Sequence, residues 1–268
     1  MTLPALLCLS ACAPTTDAGL GADGLVSTSL CGDAYARHAA RASGVSLAAL
    51  SWQSAGPLGS GWTGPRASSD PERLVALQPD ILLLGPGERV RADLLPGTRI
   101  VALDWAEDWA GVEANLDKVK ARIPGSRDAD PSRPRPPGSS PRIGLDATEP
   151  RVAASTRPSL LYLTRSGSTA GPGTYVDAAM RAAGARNLVA TPGWSTPDPE
   201  WLLAQDPDII LTSFFDSYES VNARAARHRA LRNFIAARPR IDIPGRLWPC
   251  ASPDFADVVE LIRQGVRG

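Results

Sequence analysis

The chain has 268 residues, 43% of them hydrophobic, and its Lys+Arg and Asp+Glu totals are both 28, so it carries no formal net charge near neutral pH. That length suits two modest α/β cores better than one large one. The balanced charge excludes the basic footprint expected of a nucleic-acid partner or of electrostatic attachment to an anionic membrane.

Met1 to Cys12 is uncharged, mostly apolar and ends in Leu9-Ser10-Ala11-Cys12. This is the lipobox pattern, in which cleavage before Cys12 leaves a thiol that carries diacylglycerol; the stretch is too short to span a bilayer as a helix. It has no positive n-region, so an ordinary secretory leader stays open beside a lipoprotein signal. Ala13 to Gly24 then reads as a tether. With Cys8 and Cys12 in the leader, Cys31 and Cys250 remain. An oxidising compartment allows them to pair, but their separation in sequence says nothing about geometry.

From Leu25 onward, short apolar runs alternate with helical patterns. Strands are expected at Leu25–Ser29, Leu47–Leu50, Ile81–Leu84 and Arg99–Leu103, with helices at Asp33–Ala42, Pro71–Leu77 and Trp109–Arg122. A proline-rich and arginine-rich stretch, Pro124 to Pro158, follows and has no apolar period. Beyond it, strands are expected at Ser159–Thr164, Leu188–Ala190, Ile209–Ser213 and Arg246–Trp248. The matching helices are Thr174–Ala183, Pro199–Ala204, Ala223–Ala236 and Phe255–Gln264.

One segment occurs twice. Asp70-Pro71-Glu72 through Leu77-Gln78-Pro79-Asp80-Ile81-Leu82-Leu83 returns as Asp198-Pro199-Glu200 through Gln205-Asp206-Pro207-Asp208-Ile209-Ile210-Leu211. In each copy the first Asp is an N-cap, the Pro occupies the first helical position and the Glu suits the positive end of the helix dipole. Pro-Asp then ends the helix, and the following apolar run fits a buried strand. Each copy follows a Gly-Trp loop, Gly61-Trp62 or Gly193-Trp194. Helix, tight turn and core strand, used twice, imply two mostly parallel sheets.

These residues resemble the helical-backbone solute-binding proteins that deliver cobalamin, haem and iron-siderophore complexes to ABC importers. The resemblance rests on Ser29-Leu30-Cys31-Gly32-Asp33, Ala49-Leu50-Ser51, and Glu72 with Leu74 through Asp80 in the first half. In the second half it rests on Thr169 through Thr174, Ala183-Gly184 with Asn187, Leu202 through Leu211, and Leu247-Trp248-Pro249-Cys250. It runs from about Leu25 to Ile262, apart from the middle. It implies a fold of two α/β lobes facing a cleft and joined by a helix, no enzymatic activity and no cofactor. It also implies capture of an iron-siderophore or corrinoid-type chelate and delivery to an ABC permease, in which acidic residues of each lobe, here Glu72 and Glu200, engage permease arginines. The expected division is a leader at 1–12, a tether at 13–24, an N-terminal lobe at 25–110, an interlobe segment at 111–157 and a C-terminal lobe at 158–268, in a periplasmic protein anchored through Cys12. The departure is the middle: the four prolines from Pro131 to Pro137 cannot lie inside a helix. Either the joining helix is broken there or the stretch is a shifted reading frame.

Ligands of open α/β sheets bind beyond the carboxyl ends of the strands. The residues expected there are Cys31 with Asp33, Trp52, Trp62, Trp105 with Trp109, Arg165, Thr169, Trp194, Phe214 with Phe215 and Tyr218, and Trp248. Indole and phenol rings suit a bulky, partly planar solute; the same rings would equally fill the cores of the lobes. Arg165 is a candidate partner for an anionic chelate. The only histidines, His38 and His228, both fall on predicted helices, which argues against a multi-histidine metal site. Gly167 to Thr174 lacks the lysine of a phosphate loop. No Gly-x-Ser-x-Gly elbow or paired carboxylate motif supports a hydrolase. Asp80 and Asp208 read as caps of their turns. The competing class is a two-domain α/β protein without transport, such as a nitrogenase-like scaffold or a degenerate binding module.

Overall fold

The computed structural model describes residues 24–55, 61–124, 157–213, 228–248 and 250–268. The leader with Cys12, most of the stretch between the halves, the Phe214–Tyr218 segment and Pro249 lie outside these residues.

Two separate sheets are present. The first has five parallel strands in the order β3-β2-β1-β4-β5, formed by β1 (Leu25–Ser27), β2 (Leu47–Ser51), β3 (Arg66–Ala67), β4 (Ile81–Leu84) and β5 (Arg99–Ala102). The second has four parallel strands in the order β11-β10-β6-β8, formed by β6 (Ser159–Thr164), β8 (Arg186–Asn187), β10 (Ile209–Ser213) and β11 (Arg240–Ile243). A small antiparallel pair, β7 (Thr169–Ala170) with β9 (Trp194–Ser195), sits beside it. The two-lobed α/β architecture expected from the repeat is therefore present.

Helices α1 (Leu30–Ser43), α2 (Pro71–Leu77) and α3 (Trp109–Lys120) serve the first lobe. The second has α4 (Tyr175–Ala182), α5 (Pro199–Leu203), α6 (Arg229–Ala236) and α7 (Phe255–Arg267). The duplicated unit folds alike in both. Asp70 accepts from the Glu72 amide at 3.0 Å and Asp198 from the Glu200 amide at 2.8 Å, with Pro71 and Pro199 at the helix starts. The strands that follow, β4 and β10, each lie between the first strand of their sheet and its last, β1 and β5 or β6 and β11. Their residues are buried throughout, as two-sided coverage by helices requires.

Four expectations move. Helix α1 starts at Leu30, three residues before Asp33, because Ser29 is its cap and accepts from the Gly32 amide at 3.1 Å. The strand expected at Leu188–Ala190 is Arg186–Asn187, since the Asn187 side chain accepts from the Val189 amide at 3.0 Å and turns the chain away. Arg246–Trp248 is not a strand; Gly245–Leu247 is a 3-10 turn, and the edge strand is Arg240–Ile243. That strand alternates exposed Arg240 and Asp242 with buried Ile241 and Ile243, so it has no continuous apolar run to flag it. Helix α7 continues to Arg267.

Helix α3 packs Val112, Leu116 and Val119 into the first lobe's core. Cys31 and Cys250 form a disulfide between the lobes, with Cα atoms 5.8 Å apart. No helix among the described residues is long and apolar enough to cross a membrane.

Candidate functional site

The first lobe's rim is built from loops after β1, β2, β4 and β5. Buried Asp33 in α1 accepts from the Ser51 amide at 2.9 Å, the Ser51 hydroxyl at 2.6 Å and the Ser54 hydroxyl. It thereby ties the start of α1 to the end of β2 and fixes the 3-10 turn Trp52–Ala55. Trp52 opens that turn and is 57% exposed. After β4, the Glu88 carboxylate accepts from Thr28 Oγ1 and from the Gly85 amide at 2.8 Å, closing the loop against β1. A Cβ on Gly85 would come within 2.4 Å of Ser29 Oγ, so this close approach requires glycine.

After β5, the Asn115 side chain of α3 clamps Asp104, accepting from its amide at 2.9 Å and donating to its carbonyl at 3.0 Å. The neighbouring Trp105 is held on a fixed backbone with its ring 75% exposed. Asn115 was not singled out from sequence, although a polar residue in the apolar stripe Val112–Leu116–Val119 is a readable signal. Trp62 is half-buried: its ring packs on the first core while Nε1 donates to the Pro65 carbonyl at 2.7 Å. Trp109, also half-buried, packs on both cores, 6.1 Å from the Phe255 ring.

The second lobe's rim gathers its aromatics into one cluster. Trp194 on β9 lies 6.0 Å from Tyr162 of β6 and 5.5 Å from Tyr175 of α4. Trp248 lies 6.2 Å from Tyr162 and 5.4 Å from Tyr175, whose hydroxyl donates to the Trp248 carbonyl at 3.0 Å. Trp248 is 1% exposed, and only Trp194, at 50%, faces solvent. The Tyr162 hydroxyl, Ser213 Oγ and Trp248 Nε1 are buried together without a well-formed hydrogen bond. Burial first, and then Tyr175, raises the Tyr162 pKa; burial raises that of Tyr175. A Cβ on Gly171 would lie 1.8 Å from the Thr191 carbonyl oxygen, so glycine is what lets β7 close on the loop before β9.

Of the residues expected at the site, Trp52, Trp105 and Trp194 present open ring faces. Trp62 and Trp109 are divided between core and rim. The Cys31 sulfur is committed to the disulfide, because the start of α1 meets the segment after β11 there. Thr169 is buried and donates to the Tyr162 carbonyl at 2.7 Å, which turns its hydroxyl inward. Trp248 is likewise enclosed, since the turn after β11 points it between Tyr162 and Tyr175. Arg165 is partly exposed in the turn after β6. Tyr218, Phe214 and Phe215 lie outside the described residues. Glu72 and Glu200 are exposed at the starts of α2 and α5. These helices lead back to the starts of β4 and β10, which puts both carboxylates toward the strands' carboxyl ends.

His228 is not a free ligand: its Nδ1 accepts from the Leu231 amide at 3.4 Å and caps α6. His38 sits on α1, where burial, and then Arg41 and Lys120, lower its pKa. Asp208 accepts from the Ser159 amide at 2.7 Å and its hydroxyl at 2.6 Å, bonds that hold its carboxyl below the usual range. Among the described residues no group of three or more His, Cys, Asp or Glu is placed to hold a metal ion.

No protein-family model matches the chain. A cobalamin-binding protein of Halobacterium salinarum, found in two strains, is 39% identical over 62 residues, 22% of this chain; the match spans only 17% of that relative's length. Solved structures share the fold over nearly the whole chain. A periplasmic heme-binding protein from Pseudomonas aeruginosa is 24% identical, with a TM-score of 0.61 over 92% of this chain and 93% of its own. A periplasmic heme-binding protein from Roseiflexus sp. RS-1 gives 18% and 0.60, covering 91% and 99%. The vitamin B12 binding protein of Vibrio cholerae gives 18% and 0.56, covering 91% and 96%. The chain has the fold of these periplasmic binding proteins, which are binding proteins rather than enzymes.

Proposed function

We propose that this chain is the substrate-binding component of an ABC importer and captures an iron-siderophore or corrinoid-type metal chelate between its two lobes. The observation that carries the reading is the trio of open indoles, Trp52 and Trp105 on one lobe and Trp194 on the other, each beyond the strands of its own parallel sheet. Exposed large rings held on pinned backbone are costly to leave in water and suited to stacking on a flat, bulky guest. The names of the Vibrio cholerae structure and of the short Halobacterium salinarum match support the corrinoid class.

The surroundings favour a guest whose metal is already fully coordinated by its own chelator. The described tyrosine hydroxyls are buried, Tyr35 with its pKa pushed up to about 12, and His228 spends its ring nitrogen on a helix cap. Neither rim therefore offers, among the described residues, a ready axial ligand for an open metal. The loop after β5 is acidic, with Asp104, Glu107 and Asp108. That charge suits a neutral corrinoid better than a polyanionic ferric catecholate.

Delivery is proposed to use Glu72 and Glu200 as the points that engage permease arginines, one on each lobe. An extracytoplasmic location fits the Cys31–Cys250 disulfide, since such bonds persist in oxidising compartments; Cys12 is the proposed lipid attachment site. The test is intrinsic fluorescence of pure protein titrated with cyanocobalamin, haem and a panel of ferric siderophores. Saturable quenching by cyanocobalamin or a siderophore supports the reading; none across the panel refutes it.

A further inference from the structure

Beyond β11, one short segment, Cys250 to Phe255, makes a covalent bond, a hydrogen bond, an ion pair and a ring contact with the first lobe. Cys250 is bonded to Cys31 in the first turn of α1. The Ala251 carbonyl accepts from the Tyr35 hydroxyl at 3.2 Å, and that hydroxyl also accepts from the Asn115 amide at 3.4 Å. Asp254 lies 3.8 Å from Arg37, and Phe255 faces Trp109 of α3. Cys250 and Ala251 are counted within the core of the first lobe, beside Cys31, Tyr35 and Ala36. A stretch of the second lobe is thus seated in the core of the first and pinned there covalently.

We infer that this seam, rather than the chain between the lobes, sets their relative orientation, and that it does so only while the disulfide is oxidised. The physical basis is the location of the constraint. Cys31 follows β1 and Cys250 follows β11, so the bond ties together the carboxyl-end loops of both sheets, the level at which Trp52, Trp105 and Trp194 stand. A linker joined after α3 constrains only where the chain leaves one lobe and enters the other, away from the carboxyl-end loops that the bond ties together. The seam fixes both distance and rotation, because a covalent bond, a hydrogen bond, an ion pair and a ring contact act at separate points. A cleft whose width is set in advance loses less freedom when it takes up a rigid guest. Reduction by a dithiol transfers two electrons and two protons, yielding the Cys31 and Cys250 thiols and the cyclic disulfide of the reductant. The remaining non-covalent contacts then no longer hold the lobes to one orientation.

The test places a site-specific protease sequence between Ser139 and Ser140 and follows solution X-ray scattering, which needs no ligand and is independent of the transport reading. The oxidised protein is expected to keep its scattering profile after cutting, and the cut protein to lose it when dithiothreitol is added, separating into two halves of about half the mass. A changed profile on cutting alone would show that the linker sets the orientation and overturn the inference. An unchanged profile after cutting and reduction would overturn the role of the bond. The oxidised cut needs no reductant, so it decides the first point even where the reduced chain unfolds; a Cys31→Ala/Cys250→Ala chain that keeps its helical circular dichroism then decides the second, by an altered profile expected or an unaltered one that sinks the idea.

Discussion

The two rims use the same residue type in opposite ways. The first lobe holds Trp52 and Trp105 out in solvent on backbone fixed by Asp33 and Asn115, whereas the second folds Tyr162, Tyr175 and Trp248 of its rim cluster into the core and leaves Trp194, alone of that cluster, at the surface. A ring that packs on its own lobe contributes to stability. A ring that packs on nothing contributes only when something else arrives. The contrast separates the tryptophans into structural and functional groups, a division that composition alone could not make.

The largest expected effect tests the structural side. Trp248→Ala removes a fully buried ring from the contacts with Tyr162 and Tyr175 and leaves a cavity, so stability should fall by about 3–5 kcal/mol. Urea denaturation of the isolated protein measures this. A loss under about 1 kcal/mol would mean that the second lobe's rim is not packed as described.

The next effect tests the functional side. Trp105→Ala and Trp52→Ala should each leave stability within about 0.5 kcal/mol of the parent, because their rings cover little of the core. Each should weaken cyanocobalamin or siderophore binding by about tenfold, the loss typical of an aromatic anchor. Fluorescence titration and thermal melts on the same samples separate the two readouts. Equal affinity in both variants would remove the first lobe's indoles from the site.

Much of this was legible beforehand because its chemistry is local. Asp-Pro-Glu writes a helix start into three adjacent residues, and both copies fold as read. The apolar runs Ile81–Leu84 and Ile209–Leu211 lie in the buried strands expected. What escaped depends on distant parts of the chain. Edge strand Arg240–Ile243 is half exposed and alternates, so a search for apolar runs passes over it. The sinking of Trp248 follows from Tyr162 and Tyr175 meeting across β6 and α4, a contact with no trace in sequence spacing. Cys31 shows the same limit, since parity allowed its bond to Cys250 but only the packing of α1 against the 250–255 segment brings the sulfurs together.

A smaller effect compares the duplicated units directly. Helix α2 ends at Gln78, the only non-glycine residue with positive φ among the described residues, at 43°, whereas the matching α5 ends at Ala204 with φ −80°. A side chain in the left-handed region is strained, and glycine relieves that strain. Gln78→Gly should therefore stabilise by about 0.5–1 kcal/mol. Ala204→Gly should destabilise by up to about 1 kcal/mol, since that position is right-handed and gains only flexibility. Shifts of the same sign in the two variants, read by chemical denaturation, would show that the two turns do not differ as described.

The smallest effect lies at the seam between the lobes. Burial raises the Asp254 pKa despite the nearby Arg37, and burial likewise lowers that of Arg37, so desolvation outweighs attraction for both members of the pair. A carboxyl whose folded pKa is raised contributes stability that is fully present below its unfolded value of 3.8, and that contribution disappears as pH rises through the folded value. At neutral pH the ionised Asp254 is thus a mild liability. Asp254→Asn keeps its size and removes the charge, so the variant should match or slightly exceed the parent at pH 7, by under about 1 kcal/mol. Its advantage should shrink as the pH falls toward 4, where the parent's own carboxyl takes up a proton. Paired urea titrations at the two pH values measure the difference. A variant clearly weaker than the parent at pH 7 would mean that the Arg37–Asp254 pair holds the lobes together by net attraction, and that the bond and the packed rings carry less of the seam than the burial of this segment implies.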